Sequence, residues 1–193
     1  IHNFLRPEKE AYGNNFYDWL NSEVDQAPVG SGGIIFLPFL YGCNEKTILK
    51  SGFYGINGQH TRTEMLRAVY EGIVFSHKTH IERLLNFRES PEVIRCTGGA
   101  SQSDVWMQMF ADVVGIPMEI PSGTQLGALG AAMAAAVSIG VYDDFIDAVE
   151  HMTGIARRFD PDLRLHRVYK TNYHMTFSWW GYNNPTNEDL KKT

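Results

Sequence analysis

The chain has 193 residues, 44% of them hydrophobic and 20% charged, with 22 acidic against 17 basic side chains and a net charge of -5. That length suits one domain or two small ones, and the composition excludes wholesale disorder, a collagen-like repeat and a membrane bundle. The acidic balance argues against a broad surface for nucleic acid or anionic membrane. Two cysteines, Cys43 and Cys96, are too few for a disulfide framework and fit a reducing, cytoplasmic setting. Ile1 to Leu5 lacks the basic start and long apolar stretch of a signal peptide. With no initiator methionine, the expectation is a piece of a longer product. The most apolar stretch, Leu126 to Val141, is mostly alanine and glycine and falls short of the ~20 apolar residues of a membrane span.

In chain order, Phe16, Tyr17, Trp19 and Leu20 suggest one short amphipathic helix within a polar opening segment. Gly30 to Gly33 break the chain, and Ile34 to Leu37 reads as a buried strand ended by Pro38 and Gly42. A loop punctuated by Gly52, Gly55 and Gly58 follows. Thr61 and Glu64 have capping-box spacing, and apolar residues from Leu66 to Leu85 recur at helical intervals. That predicts one long helix over about Thr63 to Phe87 with a continuous apolar face. Val93 to Cys96 is a short strand that runs into Thr97-Gly98-Gly99-Ala100-Ser101. Asp104 to Val114 is helical, with Val105, Met109 and Val113 on one face, and Met118 to Ile120 looks like a strand. Gly127 to Ile139 is a small-residue helix able to pack close to whatever it covers. Another helix starts at Asp143-Asp144 and runs through His151, with Asp143, Asp144 and Asp147 complementing its dipole. The last helix spans about Leu163 to Trp180, and the polar tail Gly181 to Thr193 is expected to fray. The alternation of strands and helices points to an α/β layer with parallel character.

The strongest local signal for chemistry is the strand-Gly-Gly-helix junction from Val93 to Trp106. Glycines at a strand end let backbone N–H groups approach a ligand, and the following helix N-terminus suits a phosphate. Ser101, Ser103 and Asp104 at this mouth could hydrogen-bond a ribose or base. The same residues also suit a tight turn with Ser101 or Ser103 as a helix cap. Thr124-Gln125-Leu126-Gly127 is a second, weaker turn of this kind. Neither the dinucleotide G-x-G-x-x-G pattern nor the Walker A pattern is present, which disfavours a Rossmann dehydrogenase and a P-loop enzyme. His77 and His80 are three apart on the long helix without a third metal ligand, so they read as core or boundary histidines and no metal site is assigned. The two cysteines read as buried thiols. Trp106, Met107, Met109 and Phe110 read as core. So do Tyr173, Phe177, Trp179 and Trp180, with an interface as the alternative for that C-terminal group.

Ser51-Gly52-Phe53-Tyr54-Gly55-Ile56, seven residues, then Glu64-Met65-Leu66-Arg67-Ala68-Val69-Tyr70-Glu71 resembles the second signature of the FGGY carbohydrate kinases. Thr97 to Ser101, Trp106-Met107-Gln108 and Ala111-Asp112 are similar to a further block of that family, and Ala128-Leu129-Gly130-Ala131-Ala132 to another. Order and spacing agree over about Ile34 to Tyr173. Phe36 to Gly42, Ser51 to Gly55, Phe75-Ser76-His77 and Ser103 to Met109 look most like the L-xylulose (3-keto-L-gulonate) kinase branch.

The resemblance implies an actin-like, ribonuclease-H-like ATPase fold, α/β with a central mixed sheet flanked by helices. The chain would be part of the second, C-terminal kinase domain, with the N-terminal sugar-binding domain as its partner and a homodimer as a further expectation. It implies phosphorylation of a sugar hydroxyl with ATP and Mg2+, on a ketopentose such as L-xylulose or on 3-keto-L-gulonate. Another pentulose, a polyol, glycerol, or a non-catalytic nucleotide-binding module remain alternatives. In that scheme Gly98, Gly99 and Ala100 approach the nucleotide, Ser103 stands on the adenine side, and Gly13 and Asn14 match the family's other nucleotide-contacting turn. The family's aspartate base stands in a Gly-x-x-Asp context that this sequence lacks. Asp18, Asp25, Asp104 and Asp112 are therefore not assigned as the base, and no catalytic residue is placed in this chain. Gln125 stands where relatives often carry an acidic residue. A cytoplasmic location without membrane or nucleic-acid partners completes the expectation.

Overall fold

The computed structural model describes residues 5–42, 50–123 and 125–178. Cys43, Thr124, Trp179, Trp180, the side chain of Phe177 and the tail from Gly181 onward lie outside the described residues. Two helices stand where the sequence predicts one: α1 (Arg6–Tyr12) and α2 (Phe16–Gln26), joined by a 3-10 turn over Gly13–Asn15. Pro7 lies in the first turn of α1, where a missing N–H costs nothing. Phe16, Leu20 and Val24 of α2 recur every fourth residue and are all buried, which seats this helix on the core. Strand β1 (Ile35–Leu37) pairs antiparallel with β2 (Gly52–Tyr54), Ile35 facing Tyr54 and Leu37 facing Gly52. The sequence reading has β2 as loop. Three residues are too few to show a period, and the partner strand makes them a strand.

The long helix α3 (Arg62–Leu85) starts as predicted. The Glu64 carboxylate accepts hydrogen bonds from the Thr61 N–H at 2.6 Å and the Thr61 hydroxyl at 2.9 Å. Its expected single apolar face is corrected: every residue from Leu66 to Gly72 is buried, because the helix runs between two cores. One is the main core, with Phe16, Leu20, Met107 and Tyr169; the other is a smaller cluster of Ile34, Phe36, Ala68 and Val69. Such burial brings charge inside. The Arg67 guanidinium donates to Glu71 at 2.9 Å, to the carbonyls of Val24 and Ala27 at 3.1 and 3.2 Å, and to the Tyr169 hydroxyl at 2.7 Å. Glu71 also accepts from the Gly30 N–H at 2.9 Å and the Ser31 hydroxyl at 2.8 Å. Every nitrogen and carboxylate oxygen of the pair thus has a partner, the condition under which a buried ion pair is tolerated.

Beyond α3, the short strand β3 (Ile94–Arg95) leads through a 3-10 turn into α4 (Asp104–Val114) and then β4 (Met118–Pro121). β3 and β4 are parallel. A strand the sequence reading missed, β5 (Ile155–Phe159), pairs antiparallel with β4, so the three-stranded sheet is mixed. Helices α5 (Leu126–Ser138) and α6 (Phe145–Met152) pack on each other between β4 and β5. Asp144 caps α6 by accepting from the N–H groups of Ile146 and Asp147. Helix α7 (Leu163–Ser178) returns to pack on α4 and buries Tyr169 and Tyr173. His77 and His80 stand exposed on α3, the His77 ring lying 5.5 Å from that of Phe110. No helix among the described residues is long and apolar enough to cross a membrane.

Candidate functional site

The site is built at the junction of β3 and α4. Gly98 has φ +97°, a left-handed conformation that strains any residue with a Cβ. The Ser101 hydroxyl donates to the Gly98 carbonyl at 2.7 Å, and the Ser103 N–H donates to Ala100 at 3.1 Å, which closes the turn. Ser103 is the cap of α4, its hydroxyl oxygen accepting from the Trp106 N–H at 3.1 Å. A Cβ placed on Gly98 or Gly99 would meet nothing within 4 Å. The positive φ accounts for glycine at 98, whereas neither backbone conformation nor packing accounts for glycine at 99.

Two clefts open on this turn. The first, of about 660 Å³, lies between Thr97, Gly98 and Gly99 on one side and Gln125 to Ala128, at the start of α5, on the other. The two turns singled out in the sequence thus face each other, although Thr124 itself lies outside the described residues. Arg157 of β5 also lines this cleft, held by Asp104 and by the Ser101 carbonyl. Burial pushes the Cys96 thiol up from its ordinary value, so this lining residue is a protonated thiol at neutral pH rather than a nucleophile.

The second cleft, of about 620 Å³, lies between α2 and the turn. Tyr17, Asp18 and Asn21 line one wall; Tyr70, Ser103 and Trp106 line the other, with Gly99 and Ala100 at the opening. Gly99 and Gln102 border both clefts. Of the residues expected at a nucleotide site, Gly98, Gly99, Ala100 and Ser103 are brought together here. Gly13 and Asn14 form the exposed 3-10 turn one helical turn away and line neither cleft. The sequence reading missed Tyr17, Asp18 and Asn21, whose available signal was their position off the buried stripe of α2. Trp106, read as core, packs against the main core and also forms cleft wall with its half-buried ring. Among the described residues no three potential metal ligands gather.

The profile of the FGGY family of carbohydrate kinases, C-terminal domain, matches residues 2–139. The chain belongs to this family. An L-xylulose/3-keto-L-gulonate kinase of Escherichia coli K12 is 43% identical over 162 residues, 84% of this chain and 32% of that protein. A probable L-xylulose kinase of Haemophilus influenzae is 38% identical over 82% of this chain and 32% of its own length. A solved structure of ligand-bound xylulose kinase from Lactobacillus acidophilus matches with a TM-score of 0.78 at 25% identity, covering 90% of this chain and 37% of that one. The chain therefore spans about a third of the length of the curated relatives it matches.

Gly55, Glu64, Ala68 and Glu71 of the FGGY signature hold the scaffold and line neither cleft, whereas Tyr70 of the same stretch lines the second one. Gly55 has φ +79°, and a Cβ there would fall 2.7 Å from the Gly33 carbonyl oxygen. Glu64 caps α3, Ala68 packs in the second core, and Glu71 ties the Gly30–Ser31 loop to Arg67. Together they clamp the β1–β2 hairpin and the loop before it onto α3.

Proposed function

We propose that this chain is the nucleotide-binding half of an ATP-dependent sugar kinase, acting on a hydroxyl of a ketopentose such as L-xylulose or of 3-keto-L-gulonate. The observation that carries the reading is the open Gly98-Gly99 turn bordered by two clefts. A base and ribose fit the cleft against α2, and the phosphates pass over Gly98 and Gly99, whose backbone leaves room for them. Ala100 and Ser103 belong to the base side, and Gly13 and Asn14 to the turn that sets α2 in place. The β3–β4–β5 sheet supports an actin-like, ribonuclease-H-like assignment for the domain. The names of the relatives support the sugar class.

Phosphoryl transfer depends on positioning, charge neutralisation and a base that takes the proton of the attacking hydroxyl. Mg2+ enters with the phosphates of ATP. The base comes from a segment near the start of the second domain that this chain lacks, and most sugar contacts come from the N-terminal domain. Ile139, Val141, Phe145 and Ile146 are exposed beside the small residues of α5, and this apolar face is the surface proposed to meet that domain. The 193-residue chain alone therefore turns over little substrate. The test is ADP release by the complete gene product with Mg-ATP and a panel of L-xylulose, 3-keto-L-gulonate, D-xylulose, L-ribulose and glycerol. Turnover on either of the first two is the expected result. Turnover on another sugar replaces the substrate, and ATP binding without turnover on any sugar replaces the enzyme with a non-catalytic module.

A further inference from the structure

The cleft between α2 and α4 contains a hydrogen-bond chain that the kinase reading leaves unused. The Ser103 hydroxyl accepts from the Trp106 N–H and donates its own proton to the Asn21 side-chain carbonyl oxygen at 2.7 Å. The Tyr70 hydroxyl donates to the same oxygen at 3.3 Å. Both hydroxyl protons go to the one amide oxygen, so the serine proton has its acceptor. In this orientation the amide oxygen is saturated. The amide N–H2 group has no partner among the described residues, and Asn21 lines the cleft.

We propose that Asn21 is a specificity-determining residue for the nucleobase, its N–H2 group donating to an acceptor ring nitrogen of a purine bound between α2 and α4. This rests on the nucleotide reading given above. Ser103 then acts through Asn21: its proton is committed to the amide oxygen while it caps α4, so it is a positioning residue for the Asn21 amide. Burial raises the Tyr70 phenol to about 12, which keeps it a donor through the neutral range. Asp18 lines the same cleft and offers only acceptors when ionised, so Asn21 is the amide donor at that wall.

The experiment is equilibrium binding of ATP and of its 1-deaza, 3-deaza and 7-deaza analogues to the complete gene product and its variants. Asn21→Ala is expected to weaken ATP about tenfold, the order of one ligand hydrogen bond. It should leave unchanged the affinity of the one analogue that lacks the partnered nitrogen. Asn21→Asp keeps an acceptor for both hydroxyls, so the fold is retained, yet it turns an acceptor toward an acceptor. A loss of roughly a hundredfold for ATP is expected. Ser103→Ala should lose the analogue discrimination and Ser103→Thr should restore it, a readout that helix capping alone would not move. An affinity within twofold of wild type for both Asn21 variants, or an equal loss for ATP and all three analogues, overturns the proposal while leaving the kinase reading intact. Failure of the wild-type protein to bind ATP overturns both.

Discussion

At Gly72 an added Cβ falls 2.2 Å from the Phe36 carbonyl oxygen, whereas at Gly99 it meets nothing within 4 Å. The first glycine is required by packing, because α3 and β1 touch backbone to backbone there and neither can yield. Gly72→Ala is therefore expected to lose about 2 kcal/mol or more of unfolding free energy in urea, despite the better helix propensity of alanine. The second is required by nothing inside the chain. Gly99→Val should leave the urea midpoint nearly unchanged and weaken ATP binding to the complete gene product at least tenfold, about 1.4 kcal/mol, as read by calorimetric titration. Unchanged ATP affinity in that variant would remove the nucleotide from this turn.

At the scale of elements, α4 and α5 were legible to within a residue or two, because caps and stops such as Ser103, Gly115 and Gly140 are local chemistry. The strand β5 was not. Its sequence, Ile-Ala-Arg-Arg-Phe, sets two arginines side by side. Only the structure supplies what they need: Arg157 reaches Asp104 and Ser101, and Arg158 pairs with Glu119 across the ladder. The Gly98-Gly99 turn between strand and helix was readable, but the α2 wall beside it was not, since nothing local says that residues 17–21 come to lie beside residue 103. The interior of α3 was hidden for another reason. Arg67 and Glu71 have the i,i+4 spacing of an ordinary surface pair, yet their side chains are 8% and 3% exposed. Removing one partner strands the other charge, so Glu71→Ala is expected to cost about 3–5 kcal/mol. The double substitution Arg67→Met, Glu71→Met should cost less than that single one in the same denaturation assay. A larger loss for the double variant would show that the pair contributes through something other than mutual neutralisation.

For the molecule as a whole, burial holds three core phenols in their neutral forms. Burial raises Tyr70 to about 12 and pushes Tyr169 and Tyr173 higher still, against an unfolded value of about 10. A raised phenol favours the folded state fully below the unfolded value, and that advantage disappears as pH climbs through the folded one. Burial lowers the Lys78 ammonium, which acts in the opposite direction, one group against three. Urea midpoints should thus fall steeply between about pH 10 and 12. Phenolate absorbance of the folded protein should show fewer than all nine tyrosines titrating before unfolding. A midpoint that holds steady over that range would mean the three phenols are not sealed from water.

The hydroxyl that completes the Arg67 cluster belongs to Tyr169, 102 positions further along the chain. Until α7 has left the ribosome, the guanidinium at the centre of α3 lacks that partner, and the wall of α4 lacks its cover. The hairpin, the turn and both clefts can be synthesised in order, but this closing contact forms only once α7 has been made. A ribosome stalled before Leu163 would carry a domain whose Gly98-Gly99 turn is complete in sequence and whose interior is still open to water.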